Sequence, residues 1–451
     1  MKNRRGRAVF TTVVVLALAM AAAQLLLIVF RSPPDARGRA AALRTLRLPI
    51  GPVHGRDGSD ALWLVGHAVP AAERADVAAA TRRWVERKRK PGTGAGKDPR
   101  ARYPRNEAPA KGARGLCPGD ADCLAAVRAH PADAAALVQR HAPLLEATRA
   151  LAGYDGLRYG VRYWNADYPD YRLGRRLRLT ALALRFVQGD APGAIAETCT
   201  DLAAWRRLGA DNDLIVGTIL ASRHVEQDLE LLARMLAEVD HDTPLPGSCA
   251  EALAPTRPAE LTLCRAMRTE FRGFEASAAK LSGPSKAWNP WVRFLDETYD
   301  HDQYLGLAAR GYALPCLVKV EQAALADKSV RGIPHKATCG WLEARAYPLG
   351  CALGELIWND AIYGYVDTRT DQAAMLALMR TLVWLRGQSA DPSTWAARLP
   401  QRPASLGLRR EPVLDLAAGT LSIPMFDTPL HRKEDASDPT FALVVRPPSP
   451  K

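Results

Sequence analysis

The stretch YDGLRYGVRYWNADYPDYRLGRR gathers Tyr154, Tyr159, Tyr163, Trp164, Tyr168 and Tyr171 into 18 residues of a chain with 30 aromatics. Arg158, Arg162, Arg172, Arg175 and Arg176 are interleaved with them. Aromatic faces stack on sugar rings and peptide planes, and guanidinium forks pair with carboxylates or phosphates. The expected binding set is Tyr159, Arg162, Tyr163, Trp164, Tyr168 and Tyr171. The competing reading is a packed loop whose rings cover a helix junction.

A second cluster is acidic. In LDETYDHD (295–302), helical spacing puts Asp296 beside Asp300 and Glu297 beside His301. Such pairs suit a divalent ion or acid–base work, but an exposed helix face also tolerates them at a few tenths of a kcal/mol. Ser277 and Lys280 match S-x-x-K, yet the companion SDN and KTG motifs are missing from the sequence. GTGAGK (92–97) has the wrong spacer for a phosphate loop, with Asp98 in place of the Ser or Thr. There is no G-x-S-x-G, H-E-x-x-H or G-x-G-x-x-G, and the nine histidines are scattered. No catalytic residue, metal site or cofactor is assigned.

All eight cysteines lie after residue 116. In CPGDADC, Cys117 and Cys123 are six apart with Pro118 and Gly119 between them. Structural zinc sites use closer pairs and redox motifs use C-x-x-C, so a disulfide closing a short loop is expected. Sequence proximity suggests Cys249 with Cys264 and Cys339 with Cys351, which leaves Cys199 with Cys316. An even set without C-x-x-C points to an oxidising compartment.

The elements that position these residues are mostly helical. Ala and Leu abound, and few runs are β-branched. After Lys2, Arg4, Arg5 and Arg7, Ala8–Phe30 runs 23 residues without charge. At ~1.5 Å per residue that spans a ~30 Å hydrocarbon core. We read it as a signal anchor. A cleaved signal peptide ending at Ala21-Ala22-Ala23 is the alternative, but it would leave LLLIVF exposed. Charge does not orient the span, because Arg31, Arg37, Arg39, Arg44 and Arg47 follow closely. The cysteines break the tie and place residues 31–451 in a bacterial periplasm.

The formal net charge is +13. Residues 1–116 hold 23 Lys and Arg against 8 Asp and Glu, and the remainder 38 against 40. The excess is therefore membrane-proximal, which argues against nucleic acid as a partner. Residues 31–116 read as a basic stalk and linker. Within it Leu62-Trp63-Leu64-Val65 is expected to dock onto the body, residues 70–90 to form a helix, and residues 91–116 to form a flexible linker or long loop. Residues 117–451 read as a disulfide-containing body of helical hairpins. In it, Asp190 caps a helix after the turn QGDAPG. Val225, Leu229, Leu232, Leu236 and Val239 share one helix face. Helix pairs are expected at 294–327 and 350–386, a small β-hairpin at VLDLAAGTLSIP, and a surface tail at PTFALVVRPP. No fixed repeat marks a regular solenoid.

GSDALWLVGHAVP, the paired-cysteine start, the helical hairpins and CRAMRTEF together resemble uncharacterised membrane-anchored, mostly helical bacterial proteins. The resemblance implies no residue roles. The expected fold is mainly α: a transmembrane helix (1–30 with its tail) and an irregular, solenoid-like body. The expected function is non-catalytic binding or scaffolding of an envelope protein or peptidoglycan. The alternative is a wall hydrolase working through carboxylates such as Asp296 or Glu297. A weaker third reading is an immunity-type protein that blocks a toxin at the membrane.

Overall fold

Proline-free runs of Ala, Leu and Arg fold as helices here, and prolines mark their ends. The computed structural model describes residues 36–88, 96–110, 112–118, 122–158, 172–281, 301–333, 351, 359–426 and 439–445. The first helices are α1 (Ala36–Arg47), α2 (Ser59–Leu64) and α3 (Arg74–Lys88). Three short ones follow: α4 (Cys123–Ala129), α5 (Pro131–Arg140) and α6 (Ala142–Ala150). Then come α7 (Arg172–Val187), α8 (Ala191–Ala210), α9 (Ile215–Glu238), α10 (Ser248–Ala252), α11 (Pro258–Leu261) and α12 (Cys264–Leu281). The last are α13 (His301–Ala313), α14 (Val318–Leu325), α15 (Asn359–Gln388) and α16 (Trp395–Arg398). Strands β1 (Val413–Asp415), β2 (Thr420–Pro424) and β3 (Thr440–Val444) form one sheet.

The chain divides into two units. The smaller takes Met1–Leu48, Phe271–Leu314 and Pro334–Ile362. In it α1 packs on α13. Phe274 lies 5.2 Å from Tyr304 and 5.6 Å from Tyr312 between ring centres, and Phe271 lies 5.7 Å from Tyr312. Arg47 Nε donates to Glu275 Oε1 at 3.0 Å.

The larger unit takes Pro49–Glu270, Pro315–Ile333 and Tyr363–Lys451. Its core is built on α7, α8 and α9. Asp190 caps α8 by accepting from the Gly193 N–H at 3.0 Å, as the turn QGDAPG predicts. Val225, Leu229, Leu232 and Leu236 are fully buried on one face of α9, and Val239 is its C-cap. Charge is buried here as well. Arg175 bonds both Asp201 and Asp228, and Arg178 donates to Glu197 at 2.6 Å. The network persists in a low dielectric because each charge meets an opposite one.

Several expectations change. In the region 350–386, where a helix pair is expected, Cys351 is helical and α15 runs for 30 residues from Asn359; residues 352–358 lie outside the described residues. The hairpin of β1 and β2 is present, with Asp415 Oδ1 accepting from the turn N–H groups of Ala417 and Ala418. The expected surface tail is instead the third strand. Phe441 faces Ile423 and Leu443 faces Leu421 across the ladder, all fully buried, so period-2 burial outweighs terminal position. Within the expected stalk, Leu62, Trp63, Val65, Trp84 and Val85 belong to the main core. In the expected linker, Asn106 donates from its N–H to the Gly66 carbonyl at 3.0 Å and from Nδ2 to the Val65 carbonyl at 2.7 Å. Asp98 accepts from the Arg100 N–H at 2.9 Å. Asn106, together with the Ala68 N–H donating to the Pro104 carbonyl at 2.9 Å, holds the described part of that segment against residues 65–68.

Candidate functional site

A cleft of about 450 Å³ opens in the larger unit where α8 ends and α12 begins, within the usual size of small-ligand sites. Its floor is an extended segment. The Leu157 N–H donates to the Asp211 carbonyl at 2.8 Å, and the Asp213 N–H to the Leu157 carbonyl at 3.2 Å. Gly156 makes this approach possible: a Cβ there would sit 2.6 Å from the Asp211 carbonyl oxygen. Next to it, Arg158 donates to the carbonyls of Gly51 and Pro52 and, at 2.7 Å, to Asp211 Oδ1. Burial pulls its pKa below the ordinary arginine value, against the nearby charges of Asp213 and Asp57.

Asp211 collects donors from three sides. Arg158 and Arg265 both reach its Oδ1, and the His54 N–H reaches Oδ2 at 3.0 Å. Arg265 lies in the first turn of α12, where a cation opposes the helix dipole. Burial, then the charges of Arg158 and Arg268, lowers its pKa. Asn212 lines the cleft and is 3% exposed. Its Oδ1 accepts from the Leu214 N–H at 2.9 Å.

One wall is the segment 250–263, which contributes Arg257, Ala259 and Thr262 to the lining. Disulfides hold both of its ends: Cys199–Cys249, with Cα atoms 4.9 Å apart, and Cys264–Cys316, 4.7 Å apart. These pairings correct the expected Cys249–Cys264 and Cys199–Cys316. Proximity in sequence misleads because α10 and α11 carry the chain away between Cys249 and Cys264. Cys117 is bonded to Cys123. Cys351 is disulfide-bonded, and Cys339 lies outside the described residues. Inside the wall, Arg206 of α8 grips Glu260 with two bonds of 2.8 and 3.0 Å and donates to the Ala252 and Ala254 carbonyls. Burial works against the Glu260 charge, but Arg206 and Arg257 together hold its pKa below the usual carboxylate range.

Behind the cleft, Glu270 Oε1 accepts from the Ile215 N–H at 3.2 Å at the start of α9. Burial, with Asp213 adding repulsion, pushes its pKa up to about 7.

The sequence-derived binding set, Tyr159, Arg162, Tyr163, Trp164, Tyr168 and Tyr171, lies outside the described residues, as do Asp296, Glu297 and Asp300. His301 and Asp302 open α13, with Asp302 exposed. Ser277 Oγ donates to the Gly273 carbonyl at 3.0 Å, an ordinary helix back-bond. Among the described residues no group of three His, Cys, Asp or Glu is placed to hold a metal. Among them, too, no helix is long and apolar enough to cross a membrane; residues 8–30 lie outside that set. Sequence reasoning missed Asp211, Asn212, Arg257 and Arg265. The available signal was CRAMRTEF, which sets two arginines against a helix N-terminus. No family model, curated protein or solved structure matches the chain.

Proposed function

We propose that this chain is a periplasmic binding protein, tethered to the bacterial inner membrane by residues 8–30, whose recognition surface is the cleft around Asp211. The observation that carries the reading is the pair of disulfides at either end of the cleft wall. They pre-form a concave surface, which lowers the ordering cost of binding, and such bonds persist in oxidising compartments. In sequence, the aromatic and arginine run from Tyr159 to Tyr171 begins directly after Arg158, which is bonded to Asp211. The partner is an envelope protein or peptidoglycan, recognised without chemistry on it.

The test uses a photocrosslinking residue in place of Ala259, which is exposed and lines the cleft, with exposed Val413 as a control site. Irradiated cells are expected to give a crosslinked envelope species from position 259 and none from 413. Protease added to spheroplasts is expected to digest the body. Identical crosslinking from both sites, or a body shielded from protease, contradicts the proposal. Release of soluble fragments from purified wall, lost in Asp296→Asn or Glu297→Gln, would replace binding by hydrolysis.

A further inference from the structure

Resting on the reading of residues 8–30 as a membrane anchor, we propose that the exposed face of α1 lies on the headgroups of an anionic lipid surface, held there by Arg37 and Arg44. The helix reads ARGRAAALRTLR, with four arginines and no acidic residue. Packing inside the smaller unit sorts those arginines. Arg39, Ala42 and Leu46 are buried, on the face that meets α13. There the Arg39 stem covers Gly306 so closely that a Cβ on the glycine would sit 3.0 Å from Arg39 Cδ. Arg47 is bonded to Glu275. Arg37 and Arg44 are exposed and meet no carboxylate among the described residues. With exposed Ala41 between them and Leu48 just past the helix end, they step by 4, 3 and 4 along one face, opposite the buried one. Leu48 is 49% exposed beside these cations, and Arg272 Nη2 donates to its carbonyl at 2.7 Å, which pins that end of the face.

The occupant of this face follows from the chain that precedes it. The uncharged run ends at Phe30, and α1 begins at Ala36. Six residue steps of extended chain cover at most about 22 Å, so the anchor delivers the arginines close to the bilayer surface. Their attraction to it acts over a Debye length of about 10 Å, and each basic residue near an anionic leaflet strengthens it. Because the helix is tethered, docking is an intramolecular step with a high effective concentration. Guanidinium forks suit lipid phosphates, and Leu48 offers an apolar side chain to the interface. From Ala36 to Pro49 no Asp or Glu interrupts the face, so nothing on it repels an anionic surface.

The full chain, with a photocrosslinking residue in place of Ala41, is reconstituted into lipid nanodiscs of phosphatidylcholine alone or with about 30% phosphatidylglycerol. Lipid adducts formed on irradiation are counted by mass. We expect the yield from position 41 to be at least about three-fold higher in the anionic discs, and to fall back at about 0.5 M salt. Arg37→Gln with Arg44→Gln is expected to remove most of that gain with an unchanged circular dichroism spectrum. Arg37→Lys with Arg44→Lys keeps the charge and should keep the gain. A yield that ignores lipid charge, salt and both arginines means that the tether alone brings the helix near lipid, and it overturns the proposal; so does a gain that survives the glutamine pair. A chain that fails to co-elute with the discs removes the anchor reading and this proposal with it, whereas co-elution with charge-independent adducts removes the proposal alone.

Discussion

Glu270 accepts a bond from the Ile215 N–H at the positive end of α9, which favours its charged form. Burial opposes that charge more strongly, and Asp213 adds to the opposition, so its pKa rises from 4.5 to about 7. Between those values the folded chain holds a proton that the unfolded chain releases. The stability this residue contributes is therefore complete below its unfolded pKa and is lost as pH rises through 7. In urea unfolding compared at about pH 5 and about pH 7.5, the wild type should lose on the order of 2 kcal/mol more than Glu270→Gln does. Equal pH dependence in the two would remove Glu270 as the source. Arg206 is the opposite case, a buried charge whose partner depends on it. Arg206→Met leaves Glu260, which is 1% exposed, with only the more exposed Arg257 to meet its charge, and should cost about 3 kcal/mol. Adding Glu260→Leu should recover most of that loss. A double variant no more stable than the single one would show that the carbonyl contacts of Arg206, rather than its ion pair, hold the wall.

Elements differ in how plainly the sequence announces them. Helix α9 was legible because one apolar face recurs at steps of three and four, and α8 because Asp190 and Pro192 mark its first turn. β3 was missed: PTFALVV is short and near the end of the chain, and its strand character depends on pairing with β2, which no local pattern reveals. The cleft was less legible still. Its residues come from five separated polar segments, and no period links Asp211 to Arg265. Gly156 shows how such a site depends on an element meeting another. The floor of the cleft exists only because backbone approaches backbone at that point. Gly156→Ala places a methyl group 2.6 Å from the Asp211 carbonyl, and neither chain can yield as a flexible side chain would. Thermal unfolding should show a loss of about 1–3 kcal/mol, together with weaker binding in the cleft. Gly51→Ala, which meets nothing within 4 Å, is the matched control. Equal effects of the two substitutions would mean that the Leu157–Asp211 pairing does not shape the floor.

Across the whole molecule the chain visits the larger unit, leaves it after Glu270 and returns at Pro315. Cys264 and Cys316 both belong to the larger unit and flank that excursion, 52 residues apart in sequence. Without the bond, folding the larger unit would have to close this loop from the full conformational freedom of the chain. In the chain-entropy account, cross-linking a loop of that length stabilises by roughly 4 kcal/mol. The effect belongs to the unit in which the loop closes. Each unit has its own buried residues, so calorimetry of the oxidised full chain should resolve more than one transition. Cys264→Ser with Cys316→Ser should lower the transition of the larger unit and leave that of the smaller in place. General reduction with dithiothreitol should move both, because Cys351 of the smaller unit is also disulfide-bonded. If the double serine variant moved both transitions together, the two units would be melting as one cooperative body, and the excursion would be part of a single core instead of an insertion between two.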